Sequence, residues 1–312
     1  MKLLVTGGAG FIGSHITDAL LAQGHDVHVL DNLSSGRREH LPSNVPLHVH
    51  DIRSPYVEDL FAQHQYEGLI HHAAQMDVRK SVEDPSFDAD VNIRGFLNLM
   101  EAGRRNGLQS VVFASTGGAI YGEPVYAPQD EDHPLRPLSP YGIAKLATEK
   151  YLAAYRELYD IRSVCLRYAN VYGPRQGAQG DAGVVAIFTR QLLNGKTPTI
   201  NGTGTQTRDY VYVKDVVQAN LAALDYDRSG VFNVGTGHET SVNGLFHLLR
   251  DATETSCTPA YGPANPGEQQ RSILDNTKSH TELNWAPHVS LRDGLRDTVD
   301  WFRAQISNTQ PA

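Results

Sequence analysis

Tyr141 and Lys145 stand four residues apart in the stretch Ser139-Pro140-Tyr141-Gly142-Ile143-Ala144-Lys145. If that stretch is helical, the two side chains share one face. A phenol has a pKa of about 10, so using it as a base at neutral pH requires a fall of about 3 units, worth about 4 kcal/mol. An ammonium a few ångströms away, joined by a positively charged nicotinamide ring, supplies such a shift where water is scarce. Thr116 closes the run Val111-Val112-Phe113-Ala114-Ser115 and brings a hydroxyl to the same place. Phenol, ammonium and hydroxyl form a proton-handling set for a carbinol beside a hydride acceptor. Tyr-x-x-x-Lys also occurs on helices with no such role, so the set acquires meaning only with a site for that acceptor.

The N-terminus supplies one. Lys2-Leu3-Leu4-Val5-Thr6 is too short for a helix and suits a buried strand. A glycine-dense turn follows, Gly7-Gly8-Ala9-Gly10-Phe11-Ile12-Gly13. Ser14 to Gln23 then carries Ile16, Ala19, Leu20 and Ala22 on one helical face and stops at Gly24. A second apolar run, Val27 to Leu30, ends in Asp31. Gly7, Gly10 and Gly13 let the backbone turn tightly, admit a pyrophosphate and bring helix close to strand; the anion meets the helix's free N–H groups and positive dipole end. Asp31 is placed to accept hydrogen bonds from the adenosine ribose. Its charge repels a 2′-phosphate and so favours NAD over NADP, although Arg37 and Arg38 are near enough to accommodate that phosphate.

The remaining elements must carry these groups to one edge. Val45 to His50 reads as a third strand ending at Asp51. Asp51 and Ile52 either meet the adenine there or cap a helix before Ser54. Leu69 to Ala74 is the next strand, where the small Ala73 and Ala74 let backbone approach a cofactor. The adjacent His71 and His72 point to opposite faces and cannot share a metal ion, so no metal is expected. A long helix is expected from about Pro85 to Asn106, with Asn92 either reaching into the site or lying on the helix surface. The Tyr141 helix runs to about Tyr159, and Ile161 to Leu166 forms a sixth strand before Arg167-Tyr168-Ala169-Asn170.

Strand–helix alternation of this kind makes an α/β fold, a doubly wound parallel (Rossmann) sheet with ligand at the strands' carboxyl ends. Beyond Gly173 the rhythm breaks into a helix over 184–193, extended pieces at 197–200 and 207–213, a strand at 231–235, and helices near 242–252 and 291–306. The expected division is an NAD-binding domain over 1–166 with segments near 208–235, and a smaller substrate lobe from 167–207 and 236–312.

Bulk properties narrow the class. With 312 residues, net charge -8 and pI near 5.9, the chain offers no basic field for nucleic acid. Its 2 cysteines cannot build a disulfide framework, and Cys165, inside an apolar run, reads as a small buried hydrophobe. The first residues enter a strand without a signal peptide, and no apolar run approaches membrane-spanning length. The expectation is a cytoplasmic enzyme.

Five stretches carry a resemblance: Thr6 to Gly13, Ser115 to Gly122, Ser139 to Lys145, Leu166 to Arg175, and Arg208 to Val213. Spread over nearly the whole chain, they resemble the extended short-chain dehydrogenase/reductases, and within them the nucleotide-sugar 4-epimerases of UDP-glucose and UDP-galactose. The resemblance implies that Gly7, Gly10, Phe11, Ile12, Gly13, Asp31, Asn32, Asp51, Ile52, Ala73, Ala74, Asn92, Tyr141, Lys145 and Tyr168 surround NAD. It implies that Thr116 and Tyr141 meet the sugar, and that Asn170, Val184, Arg208 and Arg271 hold the UDP. Asn265-Pro266-Gly267-Glu268 departs from the family's pattern, which commonly begins with arginine; Arg271 stands in for that charge. Ser272 falls where a bulky residue narrows the sugar pocket, so UDP-GlcNAc and UDP-GalNAc become candidate substrates, and a strand-surface residue is the alternative. A homodimer through the 85–106 and Tyr141 helices is implied as well. Rivals within the family are a UDP-glucuronate 4-epimerase or decarboxylase and a 4,6-dehydratase. The dehydratases carry Asp-Glu after the threonine, where this chain has Gly117-Gly118. A non-catalytic NAD-binding sensor is the rival from another class.

Overall fold

Short apolar runs alternating with amphipathic ones build the first half. The computed structural model describes residues 1–177, 183–264 and 269–309. The chain begins with β1 (Lys2–Thr6), α1 (Phe11–Ala22), β2 (Asp26–Leu30), β3 (Leu47–His48), α2 (Tyr56–His64) and β4 (Gly68–His71). It continues through α3 (Val78–Glu83), α4 (Pro85–Ala89), α5 (Phe96–Arg105), β5 (Ser110–Thr116), α6 (Gly117–Ile120), α7 (Pro140–Tyr159) and β6 (Arg162–Tyr168). The second half holds β7 (Asn170–Tyr172), α8 (Val184–Leu193), β8 (Thr199–Asn201), β9 (Thr207–Tyr212), α9 (Val213–Asp225) and β10 (Gly230–Val234). It closes with β11 (Glu239–Ser241), α10 (Val242–Thr253), β12 (Ala260–Gly262), β13 (Arg271–Ser272), α11 (Thr277–Glu282) and α12 (Leu291–Thr309).

Seven strands form one parallel sheet in the order β3-β2-β1-β4-β5-β6-β10. This is the doubly wound Rossmann arrangement, with the order reversing between β1 and β4. Alternation along β1 divides the core. Leu3 and Val5 pack with Ile16 of α1 and Val216 of α9. Leu4 packs on the other face with Leu60 and Phe61 of α2, Leu99 of α5 and Leu152 of α7. A third cluster joins Phe188 of α8, Tyr210 and Tyr212 of β9, Leu245 and Phe246 of α10, and Leu295 and Val299 of α12.

Several sequence expectations shift. The third strand shrinks to two residues. The Pro85–Asn106 helix is interrupted over 90–95 by a π-helical segment that carries Asn92; such bulges concentrate at functional sites. Of the segments near 208–235, β10 joins the parallel sheet and α9 covers it, whereas β9 pairs with β7, β11 and β13 in a second sheet. The helices α3, α6, α9 and α11 have no counterpart in the sequence reading, and α2 enters it only through the capping alternative for Asp51.

Candidate active site

The glycine turn follows β1 because nothing larger fits there. Gly7 has φ +68°, and a Cβ on it would lie 2.6 Å from the Ala73 backbone nitrogen. A Cβ on Gly13 would run into the Gly7 carbonyl oxygen. The α1 N-terminus at Gly10, Phe11 and Ile12 takes no side-chain cap, which leaves its first N–H groups for an anion. Asp31 directly follows β2 and is buried. Its carboxylate accepts from Ala9 N at 3.0 Å and Leu33 N at 2.8 Å. Burial raises its pKa, and those two N–H bonds oppose the rise. Arg38 donates to the Ser43 carbonyl at 2.9 Å.

At the next strand end, Asn32 Nδ2 donates to Asp51 Oδ2 at 3.1 Å. The Arg53 guanidinium grips Asp51 at 2.8 and 3.0 Å and lowers its pKa to about 2. The helix-cap alternative for Asp51 fails, because the N-cap of α2 is Pro55 and Asp51's carboxylate serves Arg53 and Asn32. Ile52 is buried in the core beside Val57 and Phe96. Asn92 is buried too, not a surface amide. Its side chain accepts from Gln75 N and donates to Gln75 O and Asp88, each at 2.9 Å, and so pins the loop after β4, on which Ala73 and Ala74 lie.

Ser139 caps α7 by accepting from Gly142 N at 3.2 Å, and Pro140 takes the first helical position. This fixes Tyr141 in the first turn and Lys145 in the second. Lys145 is buried, with Nζ donating to the Ala114 carbonyl at 2.8 Å and standing 5.8 Å from the Tyr141 ring centroid. Desolvation lowers its pKa to about 8, against an upward pull from Asp88. Thr116 ends β5 as the register partner of Tyr168 on β6. A Cβ on Gly118 would lie 3.9 Å from both Thr116 Oγ1 and Asn170 Oδ1, so these two side chains flank one point. The Tyr168 hydroxyl meets His72 Nε2 at 3.0 Å and Asn220 Nδ2 at 2.8 Å. His71 instead meets Thr6 Oγ1 at 2.7 Å, so the two histidines serve separate partners.

On the substrate side, Arg208 of β9 and Ser272 of β13 are register partners. Ser272 is buried, which removes the strand-surface alternative. Arg208 donates to the Thr207 carbonyl at 2.8 Å. Arg271 is half exposed and engages Glu239 at 2.7 and 3.0 Å. Val184 opens α8 against the third cluster. Asn265 to Glu268 lie outside the described residues.

Some supporting residues gave no sequence signal. Buried Glu149, one turn beyond Lys145, accepts from Ser115 and from Arg167 at 2.7 and 3.0 Å. Arg167 also donates to Tyr121 Oη at 2.9 Å, and Tyr121 donates to Asn233 at 2.8 Å. Buried Asp209 accepts from Thr236 and Gly237, tying β9 to the end of β10. Nothing in the sequence singled out Glu149, and its strand partners emerge only in the fold. His28, His48 and His64 also converge, with no spacing to announce them.

The profile described as the NAD dependent epimerase/dehydratase family matches residues 3–235. This chain belongs to the NAD dependent epimerase/dehydratase family. Among its relatives, the UDP-glucose 4-epimerase of Mycolicibacterium smegmatis is 47% identical over 309 residues, covering 97% of this chain and 99% of that protein. A putative UDP-glucose 4-epimerase of Methanocaldococcus jannaschii is 44% identical over 301 residues, covering 96% and 98%. The solved UDP-glucose 4-epimerase of Thermotoga maritima with UDP-glucose superposes at TM-score 0.96 with 48% identity, over 98% of this chain and all of that one (100%). The Thermus thermophilus UDP-glucose 4-epimerase in complex with NAD gives TM-score 0.91 and 45% identity, over 97% and 99%. The family's cofactor suits the turn described above, where side chains are excluded at Gly7 and Gly13 and Asp31 waits at the end of β2.

Proposed function

We propose that the chain is a UDP-glucose 4-epimerase, inverting C4 of UDP-glucose and UDP-galactose. The observation that supports this reading is the buried Lys145 ammonium, 5.8 Å from the Tyr141 ring centroid and bonded to Ala114 two residues before Thr116, at the sheet edge where the glycine turn also lies. The named relatives support the substrate, at 44–47% identity over nearly full length. The fit of NAD rests on the α1 N-terminus for pyrophosphate and on Asp31 for ribose, with Asn32, Asp51, Ile52, Ala73, Ala74, Asn92 and Tyr168 arranged around the strand ends. Bound NAD supplies the reversible oxidation of C4.

The chain's own groups handle the proton. Tyr141 Oη takes the proton of the sugar 4-hydroxyl and returns it, with Thr116 Oγ1 orienting that hydroxyl. The Lys145 ammonium stabilises the phenolate by its charge at close range in a dry site. Asn170, Val184 and Arg208 grip the UDP, with Arg271 completing the positive end, so that the sugar is held loosely enough to present either face. A 4,6-dehydratase needs a further acid–base pair, and the positions for it are Gly117 and Gly118. A Cβ on Gly117 would already meet Leu274 at 2.6 Å.

The reading extends to a cytoplasmic homodimer. Among the described residues no helix is long and apolar enough to cross a membrane. Tyr151, Leu158 and Tyr159 of α7 are exposed, which supports a partner on that face.

The test is incubation of purified protein with UDP-galactose and no added cofactor, followed by product identification. UDP-glucose should appear without net NAD reduction. A requirement for stoichiometric NAD consumption would exclude the mechanism, and full NAD content with no turnover would favour a sensor.

A further inference from the structure

His28, His48 and His64 come from three different elements, yet one ring nitrogen of each lies within 4.8 Å of the other two. His28 lies in β2 and His48 in the edge strand β3. Leu30 pairs with His48, and His28, two residues before Leu30, points to the same face. His64 is the last residue of α2, which crosses that face. Gln65 follows with φ 52° and turns the chain, so that Tyr66 packs against both His28 and His64.

We propose that these three imidazoles bind one divalent transition-metal ion of the zinc, cobalt and nickel class. His28 Nδ1 and His48 Nε2 are 3.3 Å apart. That is about the ligand–ligand edge of a tetrahedral site whose metal–nitrogen bonds are about 2.0–2.1 Å. The outer ring nitrogens already have oxygen partners of the kind that orient metal-bound histidines. His48 Nδ1 lies 3.1 Å from the Tyr56 hydroxyl, and His28 Nε2 lies 3.7 Å from the Asp26 carboxylate. The ion takes over the Nδ1 lone pair that now faces the Tyr66 hydroxyl at 2.9 Å.

The electrostatics agree with the geometry. Burial, reinforced by neighbouring positive groups, lowers the basicity of all three rings, His28 to about 4, so their nitrogens offer lone pairs at neutral pH. Lys2 is the nearby cation, and Asp26 lies 3.7 Å from it. An all-imidazole set suits borderline ions rather than magnesium or calcium. Three strand spacings separate β2 from β5, roughly 14 Å, so the ion stands away from Tyr141. Its role is structural: it fastens the two-residue edge strand to α2.

The experiment uses the full chain, stripped with chelator and dialysed, then titrated calorimetrically with Zn²⁺ and, separately, with Co²⁺ under a visible spectrometer. One ion per chain should bind, Zn²⁺ should raise Tm by a few degrees, and Co²⁺ should show intense tetrahedral absorption. His64→Gln, at a partly buried position at the end of α2, should weaken binding at least ~tenfold. His238→Gln, on an exposed turn, should not weaken it. The proposal falls if no ion binds stoichiometrically, if Co²⁺ gives only the weak octahedral spectrum, or if His48→Gln and His64→Gln bind like the unchanged chain.

Discussion

The Lys145 ammonium donates to the Ala114 carbonyl at 2.8 Å, one strand residue pair before Thr116. That bond anchors α7 against the carboxyl end of β5 and holds a positive charge where water is excluded. Lys145 therefore carries a penalty in the folded protein. Its pKa falls from about 10.4 unfolded to about 8.

Stability should record this penalty. Between about pH 8 and 10.4 the unfolded chain binds the proton that the native state has released, so stability rises with pH across that window. Below it the penalty is constant. Lys145→Met should raise stability at pH 7 by about 1–3 kcal/mol, after subtracting the lost hydrogen bond. It should also flatten the alkaline rise while lowering turnover ~10²–10⁴-fold. Thermal scans at several pH values, alongside epimerisation rates, check both halves.

Tyr141→Phe removes the transferable proton and keeps the ring. Turnover should fall by about 10²–10⁴, with NAD content and Tm near those of the unchanged chain. A variant that keeps most of its rate would remove Tyr141 from the proton path.

Gly13→Ala tests the cofactor cradle. The added methyl meets the Gly7 carbonyl, which is backbone and cannot swing aside. Overpacking of this kind costs about 1–3 kcal/mol. NAD released per chain on denaturation should drop sharply, because displacing Gly7 disturbs the pyrophosphate approach.

Which parts of this arrangement the bare sequence disclosed follows from how each signal is encoded. The glycine turn and the Tyr141–Lys145 spacing are local, and local spacing survives into the fold. The helix α9 escaped notice because most of its residues are buried, among them Val213, Val216, Val217, Leu221 and Leu224. Only Lys214, Gln218 and Asp225 form a narrow exposed stripe, while the polar Asp215 and Asn220 on the buried side blur the period. The pairing of β9 was illegible for another reason: an apolar strand does not state its partner, and β9 pairs with β7, β11 and β13. Spacing alone left Asn92 open between the site and the helix surface, and the π-helical segment turns it inward onto Gln75. The three clustered histidines share neither element nor spacing, and only packing brings them together.

Glu149→Gln tests the support beneath the site. Both partners of the Glu149–Arg167 pair are nearly inaccessible, with side chains 3% and 4% exposed. Removing one charge of a buried pair costs about 3–5 kcal/mol. Tm should fall accordingly, and part of the loss should return in Glu149→Leu combined with Arg167→Met, which removes both charges. Ser115 bonds to Glu149 and precedes Thr116, so kcat should fall by a smaller factor than in Tyr141→Phe.

Ser272 decides how large a sugar enters. It is 2% exposed and paired in register with Arg208, so the strand that places it also carries a residue assigned to the UDP. A serine leaves room beside the sugar that a ring would fill. The unchanged chain should therefore turn over UDP-GlcNAc as well as UDP-glucose, and Ser272→Tyr should lose the first activity while sparing the second. Overpacking at a buried strand position adds about 1–3 kcal/mol of destabilisation, so both rates are to be compared at a temperature where the variant remains folded. Equal loss of both substrates would mean that the tyrosine disturbs β13 itself. Retention of both would place the size limit on another residue.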